Sequence, residues 1–158
     1  MVRPQSQPRI LVALLLTAWA LYLTVVVASN TTDLLMSFGW IHTSFESGNL
    51  AFMDTATKIY FRSKPVSQVL LGGVIVWEAL GAALLWRGAA LCYRANWAKA
   101  AIAEVGLIVA TLLWMGFAIT TEVFIAYDRG VNESAYWILA IATMATLLVV
   151  RQLAGGPT

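Results

Sequence analysis

The stretch GGVIVWEALGAALLW, residues 72–86, contains one ionisable group, Glu78, close to its middle. A carboxylate in such surroundings can bind a cation or carry a proton. An ionised acid at the centre of a bilayer costs several kcal/mol unless it is paired, hydrated or protonated. Gly81, Ala82, Leu85 and Ala89 share its helical face. Small residues let a second helix approach closely, so Glu78 is expected to face the interior of a bundle, where apolar surroundings favour its neutral form.

Two further acids belong to the next apolar segment, Glu104 and Glu122. They are about five helical turns apart and project from one face, separated by roughly 27 Å along the axis. Thr111, Met115 and Ala118 occupy that face between them. With the two helices antiparallel, Glu78 falls at a depth between Glu104 and Glu122. The three acids then form a line across the membrane with gaps of roughly 10–15 Å, which only intervening water could bridge. A structural reading stands beside this one. Glu104 lies one turn inside Lys99 and can reach the interface, while Glu122 can meet Arg129 or a loop group. Glu78 can be a protonated acid bonded to a helix backbone or to Thr17, Thr24 or Thr143.

Other chemistries find little support. His42 is the one histidine, and with Asp33, Glu46 or Asp54 it matches no metal spacing. Cys92 is the one cysteine, which excludes an intrachain disulfide and a thiol-based metal site. There is no Ser-His-Asp set, no histidine pair and no P-loop. No cofactor and no metal is expected. A net charge of +2 over scattered positions gives no reason to expect nucleic acid. Asn30-Thr31-Thr32 and Asn132-Glu133-Ser134 match the glycosylation sequon, a short and common pattern.

The elements that must position these groups follow from composition. Hydrophobic residues make up 60% of the 158 and charged residues 11%; the mean hydropathy is +0.77. Soluble domains carry about 25% charged residues, so this chain has too little polar side chain to coat a soluble globule. The reading is a single all-α domain, a four-helix transmembrane bundle with spans at about 10–28, 66–88, 98–122 and 135–152. The first span is longer than a signal-peptide core and is expected to be retained. Pro65 suits the first turn of the second span, and Asn132 can cap the fourth, with Glu133 in its first turn.

Basic residues set the orientation. Arg3 and Arg9 precede the first span, Arg87, Arg94 and Lys99 surround the turn between the second and third, and Arg151 ends the fourth. Acids mix with bases on the other side. Both termini are therefore expected in the cytoplasm of an inner (plasma) membrane protein. The long first loop is then extracytoplasmic, with short interfacial helices at Thr32 to Met36 and Met53 to Phe61. Trp86, Tyr93, Trp97, Tyr127, Tyr136 and Trp137 read as interfacial belt residues.

Three fragments, Asn30-Thr31-Thr32-Asp33, Phe52-Met53-Asp54-Thr55 and GFAITTEVFIAYDRGVNESAYW from Gly116 to Trp137, together with Glu78, resemble a bacterial family. It is the family of predicted small integral membrane proteins known as domain of unknown function 2165. The resemblance implies four spans. It makes Asn30, Asp33, Asp54, Glu78, Glu122, Asn132 and Glu133 family positions, without Glu104. Ser44 to Leu50 looks like extra loop length. The resemblance brings no activity with it. It does sharpen one inference: Asn30, Asp33, Asp54, Glu122, Asn132 and Glu133 fall at the outer ends of spans and could converge as a polar mouth above Glu78.

Three functional classes follow. The first, narrowly favoured, is an accessory or scaffold component of a membrane complex, with the lipid bilayer, other membrane subunits or further copies of itself as partners. The second is a cation or proton conduit, or a membrane protein binding a small cationic ligand through Glu78. The third, an enzyme acting on lipid or quinone, ranks last because no catalytic constellation is complete.

Overall fold

The computed structural model describes residues 6–61, 64–94, 101–124 and 133–154. These form five α-helices: α1 (Ser6–Ser37), α2 (Asn49–Thr57), α3 (Lys64–Tyr93), α4 (Ala101–Val123) and α5 (Glu133–Ala154). All but α2 are long and apolar enough to cross a membrane. There is no strand among the described residues, and the all-helical four-span expectation holds.

α1 differs from its expected span. It does not stop near Ala28 but continues to Ser37, absorbing the segment Thr32 to Met36 that was expected as a separate interfacial helix. Polar residues are accommodated along its whole length, both inside the expected span and beyond it. Thr17, Thr24, Ser29 and Thr32 each donate a hydroxyl to a carbonyl three or four residues back, the local bond that lets Ser and Thr sit in a helix. Asn30 and Asp33 find partners on other elements. The helix ends where Gly39 takes a positive φ of 71°, with its N–H bonded to the Met36 carbonyl. Glycine is the residue that enters this left-handed conformation without a Cβ penalty.

α2 only overlaps the short helix expected at Met53 to Phe61, since it begins at Asn49 and ends at Thr57. Its N-cap, Gly48, has no side chain to offer. α3 carries Pro65 in its first turn, where the missing N–H costs nothing.

Small residues set the close helix contacts. A Cβ on Gly88 of α3 would lie 2.6 Å from the Ala103 Cβ of α4. Gly81 of α3 faces Leu23 of α1 and Val109 of α4. The half of the bundle nearer the chain termini is packed tight: Val12, Leu16, Leu85, Leu107 and Val150 are all fully buried. Val25, Val69, Val76, Leu80 and Ile141 are exposed on the perimeter, the surface that meets hydrocarbon in a membrane protein.

Candidate functional site

Glu78 is 1% exposed, so it does face the bundle interior. Its partner is neither a helix backbone nor a threonine. Asn30 of α1 donates its side-chain amide to both carboxyl oxygens, at 2.9 and 3.1 Å. Asn30 in turn accepts at its Oδ1 from the Asn49 side-chain amide of α2, at 2.7 Å. A chain of amides thus runs from the start of α2 through α1 to the acid on α3. The amide is a neutral donor, so the pair leaves the carboxyl without a counter-charge. The threonines have other partners: Thr17 and Thr24 bond their own helix, and Thr24 accepts from the Trp86 indole at 3.1 Å.

Asp33 lies one turn beyond Asn30 on α1. Its Oδ2 accepts from the Leu50 backbone N–H at 2.8 Å and from the Ser47 hydroxyl at 2.9 Å. The Leu50 N–H belongs to the first turn of α2, which Gly48 leaves uncapped. Asp33 therefore caps α2 from another helix, and its charge favours that end of the helix dipole. The far end of α2 is fastened as well. Asp54 pairs with Lys58 at 2.8 Å and accepts from Ser67 at 3.5 Å. The Thr57 and Ser67 hydroxyls lie 3.2 Å apart. Asn30, Asp33 and Asp54 are thus the groups that hold α2 against α1 and α3.

A cavity of about 420 Å³ lies under α2, with walls from all five helices. Phe52 and Met53 of α2 close one side, and Leu71 and Glu78 of α3 another. The aromatic wall is continuous. Tyr22 packs on Trp114 with ring centroids 5.9 Å apart, Trp114 on Phe117 at 5.9 Å, and Phe117 on Tyr136 at 5.3 Å. Tyr136 is half-buried in this wall, which corrects its reading as a belt residue. Among the described residues lining the cavity, Glu78 is the single carboxylic acid, and no Lys, Arg or His is present. Such a volume and lining belong to the range of small-molecule pockets.

The remaining expected site residues lie elsewhere. Glu104 is bonded to Arg151 at 2.8 Å, joining α4 to α5 near the chain termini. Thr111 is buried and donates to Thr143 of α5 at 2.9 Å. Glu122 is exposed near the end of α4. Asn132 lies outside the described residues, as does the side chain of Glu133, so of the expected polar mouth Asn30, Asp33, Asp54 and Glu122 are described. His42 is exposed in the segment between α1 and α2. No group of three His, Cys, Asp or Glu able to hold a metal occurs among the described residues. Asn30 is 1% exposed inside a helix, so its sequon offers no acceptor in the folded chain.

The residues that the sequence did not single out are Asn49, Ser47, Ser67 and Trp114. Ser47 and Asn49 sat inside what looked like extra loop length. A faint signal existed for the wall, since Trp114 and Phe117 repeat at helical spacing.

Four apolar helices that enclose a polar knot and a cavity define a small multi-pass integral membrane protein. Over residues 8–153 the chain matches the family described as predicted small integral membrane protein, domain of unknown function 2165, and it belongs to that family. No curated protein and no solved structure matches it.

Proposed function

We propose that this protein binds a small cationic ligand inside the bundle, with Glu78 as its anchor. One observation carries the reading: among the described residues Glu78 is the single carboxylic acid lining a cavity of about 420 Å³, and its partner there is a neutral amide. A ligand that brings a positive charge supplies what Asn30 does not. A continuous conduit has less support, because Leu16, Leu85 and Leu107 pack without exposure in the half nearer the termini. The accessory reading draws on no particular contact, whereas the cavity is a built feature.

The positive residues near the ends of α1, α3 and α5 favour cytoplasmic termini. In that orientation the cavity lies in the outer half of an inner membrane, beneath α2. Native mass spectrometry of protein extracted from its host membrane tests the reading. The wild type is expected to retain a small molecule that Glu78→Gln loses. Wild-type protein that carries no added mass, or the same added mass in both forms, sinks it.

A further inference from the structure

The chemistry of the cavity narrows the ligand, given the binding reading above. We infer that it is a lipophilic organic monocation: an apolar body of small-molecule size bearing one protonated amine or ammonium head.

Three features of the site carry this. The first is the charge count. Glu78 is the one ionisable acid on the described wall, and no base accompanies it. A single positive charge is matched there. A second positive charge would be buried without a partner, and an anionic group on the ligand would face the carboxylate with no base to receive it. Both are costly in an apolar interior. A zwitterionic lipid headgroup is disfavoured on the same ground.

The second feature is the wall. Tyr22, Trp114, Phe117 and Tyr136 form a run of rings with neighbouring centroids 5.3 to 5.9 Å apart. Aromatic faces attract an organic cation within about 6 Å of a ring centroid, more strongly when water is excluded. An inorganic cation would need several oxygen ligands. Beyond Glu78 the cavity's side-chain oxygens, apart from the tyrosine hydroxyls, are the neutral hydroxyls of Ser29, Thr57, Thr120 and Thr121 and the Asn49 amide, set among leucines, valines and rings, and no metal-holding cluster occurs among the described residues.

The third feature is the geometry of the acid. Asn30 donates to each oxygen and so fills one lone-pair position on each. A carboxylate has about four lone-pair positions, so Glu78 is oriented by Asn30 with acceptor capacity left for a ligand N–H. Asn30 therefore acts as a positioning residue and Glu78 as the binding group.

The experiment is a titration of the full chain in phosphatidylcholine nanodiscs, with empty discs subtracted. The probes are octylamine, octanol, an α,ω-diaminooctane, octanoate and a short-chain phosphatidylethanolamine. Octylamine is expected to bind the wild type at least about tenfold more tightly than octanol, the diamine, octanoate or the lipid. Glu78→Gln should remove that advantage while leaving octanol where it was. Trp114→Leu should weaken octylamine more than octanol. If no probe binds the wild type, the binding reading itself falls. If octanol, the diamine or the lipid binds as tightly as octylamine, or if Glu78→Gln leaves the preference intact, the cavity binds a ligand but the monocation assignment is wrong. Thermal unfolding of each variant separates lost binding from lost fold.

Discussion

Asn30 is the residue on which the others depend. Its amide meets both Glu78 oxygens, and its carbonyl oxygen receives Asn49, so one buried side chain touches three helices. Removing a partner from a buried polar group costs about 1–3 kcal/mol, whereas replacing both partners by apolar groups of like size can be nearly neutral. Asn30→Leu is therefore expected to lower the unfolding midpoint in detergent by about 2–4 °C per kcal/mol lost. The double variant Asn30→Leu with Glu78→Leu should recover most of that loss. A double variant no more stable than the single one would mean that Asn30 matters for another contact. The same pair explains why an acid within an apolar helix is tolerated: it is buried, but not unsatisfied.

At the scale of elements, α2 is too short to span, and it is held by groups outside itself. Asp33 caps it from α1, and Ser67 of α3 meets Thr57 and Asp54 at its other end. Loss of a helix cap costs about 0.5–2 kcal/mol. Asp33→Ala should accordingly speed amide hydrogen exchange across 49–53 about three- to thirtyfold while the exchange of α4 stays unchanged. Exchange as slow as in the wild type would show that the cap contributes little. The α3–α4 contact is more exacting. Because a Cβ at Gly88 would approach the Ala103 Cα to 2.9 Å, Gly88→Leu must push the two helices apart. Close packing of small residues holds helices together where lipid offers no hydrophobic drive. A clear drop in folded yield is expected from Gly88→Leu, and little change from Gly73→Leu, where nothing lies within 4 Å.

For the molecule as a whole, the two halves of the bundle differ. The half nearer the termini is filled by fully buried aliphatic side chains, and the half beneath α2 holds the cavity. A cavity confined to one half of the bundle binds but does not conduct. Proteoliposomes with wild-type protein should therefore pass protons and sodium no faster than empty liposomes, and Glu78→Gln should behave the same. Flux that depends on Glu78 would return the conduit reading to first place.

Much of this was legible in the residues. Four apolar stretches and too few charges require helices in a bilayer, because only an element that satisfies its own backbone can cross hydrocarbon. The small residues beside Glu78 likewise announced that it points inward. Other features depended on contacts between distant segments. Asn30 read as loop and Asp33 as part of a short interfacial helix within it, since polar residues after an apolar run ordinarily mark its end, but partners 14 to 48 residues away keep them in the long helix. Glu104 looked like a member of an acid line until Arg151, 47 residues on, proved to be its partner. Periodicity assigns a residue to a face. It cannot say which group on another helix stands opposite, nor that five helices leave a space between them. Those outcomes rest on register and packing between elements, which no local pattern encodes.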